Sequence, residues 1–153
     1  MDVQYINPFI TATLHVLKTM AHTEVKAGKP FLKKEKLARG DVSGLIGLTG
    51  EVSGTISVSF PEKCILAIVG RMFGETMTAM NDEIGDAVGE IANMISGQAR
   101  QALEEMGRPL QAAIPSVIMG KGRQITHITS HPVIAIPFDT DNGGFTIEIC
   151  FEG

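Results

Sequence analysis

Residues 81–106 have the sequence NDEIGDAVGEIANMISGQARQALEEM, the one long stretch of the chain with a strong helical period. At about 100° per residue, apolar side chains recur along one side of this predicted helix. They form a stripe of Ile84, Val88, Ile91, Ile95, Ala99, Ala102 and Met106. A long helix with one apolar side packs against a core, so the neighbouring segments are expected to supply the surface that this stripe covers.

Three polar side chains stand on the opposite side of the same helix. Asp86, Glu90 and Asn93 are spaced i, i+4 and i+7, which places them within about 60° of one another. Gly97 follows on that face, where it costs a helix about 1 kcal/mol relative to alanine but leaves the surface bare. Any solvated helix also has polar residues opposite its apolar stripe, so periodicity alone leaves a functional and a purely structural interpretation open.

The composition narrows the class of protein. The 153 residues, 44% of them hydrophobic, are predicted to form one domain, residues 1–153. A net charge of −4 and a single short basic cluster at residues 33–36 argue against a nucleic-acid surface. No apolar run approaches the roughly 18 residues of a membrane span, and the amino terminus does not resemble a secretory signal. Cys64 and Cys150 are expected to be buried thiols rather than a disulfide, and we expect a cytoplasmic protein.

Segments before and after the long helix predict further helices and antiparallel strands. Pro8 is expected at or near the start of an amino-terminal helix whose apolar positions include Met20. Residues 41–60 are predicted to form two strands around a turn, and Pro61 to begin a shorter helix. Residues 131–152 are predicted to form a hairpin with an Asn-Gly turn. The predicted fold class is α+β, with helices packed on a β-sheet of antiparallel hairpins.

The two halves of the chain resemble each other. TISVSF at residues 55–60 is echoed by TIEICF at residues 146–151, and each half has a helix followed by a proline, Pro30 or Pro115, before its strands. We therefore expect two pseudo-symmetric internal repeats, at about residues 5–75 and 81–153.

Aligning the two prolines compares the helices of these repeats. The alignment shifts the numbering by 85, so Glu90 falls over Tyr5 and Asn93 over Pro8. On this alignment only the second half retains the polar residues.

The pattern Asp86-x3-Glu90-x2-Asn93-x21-Pro115 closely resembles the signature of the CheC/CheX/FliY family of chemotaxis phosphatases, which act on the phosphorylated response regulator CheY. The resemblance extends over essentially the whole chain, including INPFI at residues 6–10. With one motif rather than two, the chain is more similar to the CheX branch than to CheC. The resemblance implies an α/β fold with internal pseudo-symmetry, a homodimer, and a phosphorylated CheY-type regulator as partner.

The resemblance also implies a role for each residue of the motif. Asn93 would orient the water that attacks the aspartyl phosphate, and Glu90 would anchor the helix to a lysine of the regulator. Asp86 would support docking, and Pro115 would shape the backbone beneath the helix. The protein would need no cofactor of its own, because Mg²⁺ is supplied in the regulator's active site. A role for Gly97 as clearance for the regulator is our own inference from its position.

Other sites have weaker support in the sequence. Asp86, Glu90 and Asn93 carry oxygen donors suited to Mg²⁺ or Ca²⁺, but one helix supplies few convergent ligands. His127 and His131 lack further ligands at a spacing typical of zinc sites. Residues 119–123 lack the full phosphate-loop pattern and are expected to form a turn between strands.

Two functional hypotheses follow. The first is a phosphatase that hydrolyses the aspartyl phosphate of a response regulator. The second is a non-catalytic binding module for a regulator or a flagellar switch component.

Overall fold

Helices packed on one antiparallel sheet make up the described part of the chain, residues 3–33, 37–126 and 132–152 of the computed structural model. The helices are α1 (Val3–Ala21), α2 (Glu62–Phe73) and α3 (Asp82–Glu105). The strands are β1 (Lys26–Ala27), β2 (Phe31–Lys33), β3 (Leu37–Gly50), β4 (Ser53–Phe60), β5 (Leu110–Ala112), β6 (Ser116–Thr126), β7 (Val133–Thr140) and β8 (Gly143–Glu152). The predicted α+β class, with helices on a sheet of antiparallel hairpins, is confirmed.

The sheet has the strand order β1-β7-β8-β4-β3-β5, with β2 pairing to β7 and β6 pairing to β3. In the central pair, β4 and β8 run antiparallel with Ile56 opposite Ile149 and Val58 opposite Ile147. Side chains alternate between the two faces of a strand, and these four are nearly fully buried. Gly44 of β3 pairs with Val58 and faces α3, so this is the face that the helices cover.

The amino-terminal helix differs from its prediction. It begins at Val3, so Pro8 lies inside α1 rather than at its first position. Proline cannot donate the backbone hydrogen bond of its position. Burial of the preceding turn offsets that loss, because Tyr5 and Ile6 are each 5% exposed and the Tyr5 ring lies 5.2 Å from that of Phe151. Met20, counted among the apolar positions of this helix, has an exposed side chain.

The long helix agrees closely with its prediction. The Asn81 side chain accepts a hydrogen bond from the Ile84 backbone N–H at 3.1 Å, which caps the first turn of α3. The stripe is almost completely buried as far as Ala99. Beyond it, Met106 is exposed and Leu103 is buried instead, because the helix ends at Glu105 and its last turn passes the edge of the core.

Both cysteines are free and buried, as predicted. Burial raises the pKa of the Cys64 thiol. Among the described residues, no helix is long and apolar enough to cross a membrane. His127 and His131 lie outside the described residues.

Candidate active site

An open groove of about 710 Å³ brings together the four residues of the sequence motif. It lies between the outer face of α3 and the connection from β5 into β6. Asp86, Glu90 and Asn93 are exposed along its helical side, and Pro115 is on the opposite side. The other residues that line it are Asp82, Gly85, Gly89, Ile114, Val117 and Met119.

Small residues set the distance between α3 and the sheet. A Cβ added at Gly85 would lie 2.8 Å from the Met119 sulfur, and one at Gly89 would lie 3.4 Å from a Val117 methyl. The first distance is shorter than real Cβ contacts, so a side chain at Gly85 would force a shift of Met119 or of the helix. Gly85 therefore allows α3, which carries Glu90 and Asn93, to lie this close to β6.

Pro115 occupies the step between β5 and β6. The Ala113 backbone N–H donates to the Gly47 carbonyl at 2.9 Å, and the chain resumes pairing with β3 at Ser116. Proline restricts φ to about −65°, which makes the step rigid.

Ile114, the residue before Pro115, is 90% exposed and lines the groove. An exposed isoleucine beside a polar groove suits contact with a partner. Sequence reasoning missed Ile114, because one apolar residue in a connection has no periodic signal.

Gly97 differs from Gly85 and Gly89. Among the described residues, a Cβ built at Gly97 meets no heavy atom within 4 Å outside the backbone of its own helix, although Gly97 lies on the same face of α3 as Glu90 and Asn93. It does not line the groove itself. No contact within the described ranges requires glycine at this position, and its absent side chain leaves open space beside the helix.

The groove is acidic. Asp82, Asp86 and Glu90 contribute three carboxylates, and no lysine or arginine is among the described residues that line it. A concave surface of one charge sign attracts partners of the opposite sign. Within the described ranges, no three His, Cys, Asp or Glu side chains converge in a way that would hold a metal ion.

The predicted turn at residues 119–123 is wrong. These residues continue β6, and Met119 and Arg123 both pair with β3, around an irregularity in register. Pairing with the long strand β3 keeps β6 extended through Gly120 and Gly122.

Comparison with known proteins agrees with this architecture. Residues 42–139 match the family model for Chemotaxis phosphatase CheX. A crystal structure of a chemotaxis protein CheX from Desulfovibrio desulfuricans has 51% sequence identity and a TM-score of 0.92, covering 97% of this chain and 99% of that one.

Two further similar proteins are described by names that include CheY. The CheY-P phosphatase CheX of Thermotoga maritima is 28% identical over 126 residues, 82% of this chain and 81% of that protein. The CheX-CheY-BeF3-Mg²⁺ complex from Borrelia burgdorferi has 25% identity and a TM-score of 0.85, covering 99% of this chain and 100% of the matched chain. Since the family model spans well over half of its residues, the chain belongs to the chemotaxis phosphatase CheX family.

Proposed function

We propose that this protein accelerates hydrolysis of the aspartyl phosphate on a CheY-type response regulator. The observation that carries the proposal is the exposure of Glu90 and Asn93 side by side in one acidic groove. The Thermotoga relative is named a CheY-P phosphatase, and the Borrelia structure combines CheX with CheY, BeF3 and Mg²⁺.

Asn93 acts by positioning in this proposal. A carboxamide has both a donor and an acceptor but cannot take up a proton at neutral pH, so it orients a water molecule rather than deprotonating it. The oriented water oxygen attacks phosphorus, and the bond from phosphorus to the regulator's aspartate oxygen breaks. The aspartate is released as a carboxylate, and both protons of the water leave with the inorganic phosphate. Holding the water in line with the breaking bond lowers the entropic part of the barrier.

Glu90 provides the electrostatic contact. Its carboxylate is exposed one helical turn before Asn93 and accepts a charge-assisted hydrogen bond from a regulator lysine. Asp86, one turn further back, adds negative charge that favours the same orientation. Pro115 holds the opposite wall, and Ile114 gives the regulator an apolar contact.

Three accompanying proposals complete the function. The Mg²⁺ belongs to the regulator's own pocket, where it neutralises charge on the phosphoryl group, and this chain holds no cofactor. The protein forms a homodimer, as the family resemblance implies. It is cytoplasmic, which is consistent with the two free thiols, Cys64 and Cys150.

The test is the decay of a phosphorylated CheY-type regulator in Mg²⁺, with this protein at one tenth of the regulator concentration. A catalyst shortens the lifetime of the whole phosphorylated population, because each molecule acts many times. The alternative function, a binding module, would leave the lifetime unchanged or lengthen it. An unchanged or longer lifetime for every response regulator of the source organism would refute the proposed phosphatase activity.

A further inference from the structure

Met119 lines two neighbouring grooves of the surface. One is the groove of about 710 Å³ that holds Glu90 and Asn93, and the other is a smaller groove of about 280 Å³. The other residues that line the smaller groove are Asp41, Glu62, Met80 and Gly120. The Met119 side chain is half-buried, so it is open to small solutes that enter either groove.

The Met119 sulfur lies directly against α3. Val117 and Met119 are two residues apart on β6, so their side chains point toward the same face of the strand, and this face meets Gly85 and Gly89. A Cβ added at Gly85 would lie only 2.8 Å from the sulfur. The gap between the sulfur and the helix therefore has no room for an additional heavy atom, immediately before Asp86.

Moving the side chain costs less than moving the helix. Ile84 and Val88, on either side of Gly85, are each 0% exposed, and a displacement of α3 would remove apolar surface from the core. Methionine, in contrast, has a flexible, unbranched side chain. A Met119 side chain that gained an atom on its sulfur is therefore expected to turn away from Gly85 and into the groove.

We propose that Met119 is an oxidation site through which hydrogen peroxide weakens docking of the regulator. The proposal rests on the proposed function of the α3 groove. A lone pair of the Met119 sulfur attacks one peroxide oxygen, an S–O bond forms and the O–O bond breaks. The departing hydroxide takes up the proton of the transferred oxygen, so the products are methionine sulfoxide and water. The sulfur is oxidised and the peroxide is reduced.

The sulfoxide changes both the shape and the polarity of the groove. Oxidation converts an apolar thioether into a polar group, and its oxygen carries partial negative charge toward the carboxylates of Asp86 and Glu90. The turned side chain also occupies space in which the regulator docks. We expect KM for the phosphorylated regulator to rise about tenfold, with kcat little changed because α3 and Asn93 remain in place.

The test compares wild-type and Met119→Leu proteins before and after exposure to hydrogen peroxide. Peroxide is removed before the untreated regulator and Mg²⁺ are added, and mass spectrometry of peptides reports the oxidation of each methionine. Leucine has a similar volume and no oxidisable sulfur. Relative to each protein's own untreated KM, the wild type is expected to show the tenfold rise and Met119→Leu is expected to show none.

Met106→Leu is the matched control. Met106 is 48% exposed at the end of α3 and does not line the groove, so peroxide oxidises it readily. Removing this sulfur is expected to leave the untreated activity unchanged and the protein as sensitive to peroxide as the wild type.

Repair of the oxidised wild-type protein provides a second measurement that needs no variant. Methionine sulfoxide reductases A and B, with a thiol reductant, reduce both sulfoxide epimers but do not reverse the sulfinic or sulfonic acids of cysteine. We expect this treatment to restore KM, which attributes the loss to a methionine rather than to Cys64 or Cys150.

The division between KM and kcat separates a change in the groove from loss of folded protein. Partial unfolding lowers the concentration of active protein, so it lowers the apparent kcat and leaves KM unchanged. Circular dichroism of the oxidised samples measures the folded fraction directly. A loss confined to kcat would overturn the proposed role of Met119.

The remaining outcomes distinguish this inference from the proposed function. Untreated wild type that accelerates decay, with the same response to peroxide in wild type and Met119→Leu, would overturn the inference alone. Met119 that stays unoxidised while Met106 is converted would also overturn it. Untreated wild type that does not accelerate decay would overturn the proposed function, and the inference with it.

Discussion

Replacing Gly97 with alanine separates the stability of the helix from docking of the regulator. The residue lies inside the 24-residue helix α3, and a Cβ there meets no heavy atom of the described residues within 4 Å, apart from the backbone of the helix itself. Alanine therefore raises helix propensity without a clash. The free energy of unfolding is expected to rise by about 1 kcal/mol, which corresponds to about 2–4 °C in Tm for a domain of this size.

The effect on docking has the opposite sign. If the regulator occupies the open space over Gly97, an added methyl group overpacks the interface at a cost of about 1–3 kcal/mol. That cost corresponds to an increase of about 5- to 150-fold in KM. Leucine is expected to preserve the gain in stability and to raise KM further, because its side chain extends beyond the methyl.

Thermal unfolding and steady-state hydrolysis of the phosphorylated regulator measure the two effects on the same samples. Lys63→Leu is the matched control, since it adds apolar bulk at an exposed position of α2, outside the groove that Glu90 and Asn93 line. It should leave KM unchanged. A Gly97→Leu protein with unaltered KM would refute the clearance role, whatever its stability.

The remaining predictions concern docking, capping, thiols and assembly. Glu90→Ala should raise KM about tenfold or more and lower kcat, because a charge-assisted contact with the regulator is lost. The control is Glu83→Ala, since Glu83 is exposed on the same helix outside the groove, and it should change neither KM nor kcat. Asn81→Ala should lower the free energy of unfolding by about 1 kcal/mol in urea titrations, because the cap of α3 is lost. A chromogenic thiol reagent should leave Cys64 and Cys150 unmodified at pH 8 until the protein unfolds, because both are buried and burial raises the pKa of Cys64; rapid labelling of the folded protein would contradict this. Sedimentation at micromolar concentration should give a dimer, and a monomer would contradict the proposed assembly.

The sequence predicted the long helix well because its information is local. The apolar period places Ile84, Val88 and Ile91 on the buried side, and Asn81 caps the helix at the position where the period begins. The same period predicted which side chains would share the exposed face. Hairpin signals were similarly local, since the Asn-Gly turn and alternating apolar residues lie within β7, β8 and their connection.

Features that depend on distant contacts were not predictable in this way. The extension of α1 to Val3 depends on packing of Tyr5 against Phe151, at the other end of the chain. Contact of Gly85 with Met119 joins two elements that no local pattern relates.

The most direct test of the proposed phosphatase activity compares wild-type and Asn93→Ala proteins in single-turnover decay of the phosphorylated regulator. Binding of the regulator to each protein is measured in parallel. Loss of the water-orienting amide is expected to slow hydrolysis about 100-fold, while affinity for the BeF3-loaded regulator changes little because Glu90 remains. Hydrolysis at the wild-type rate by a folded Asn93→Ala protein would contradict the central claim that this amide positions the attacking water.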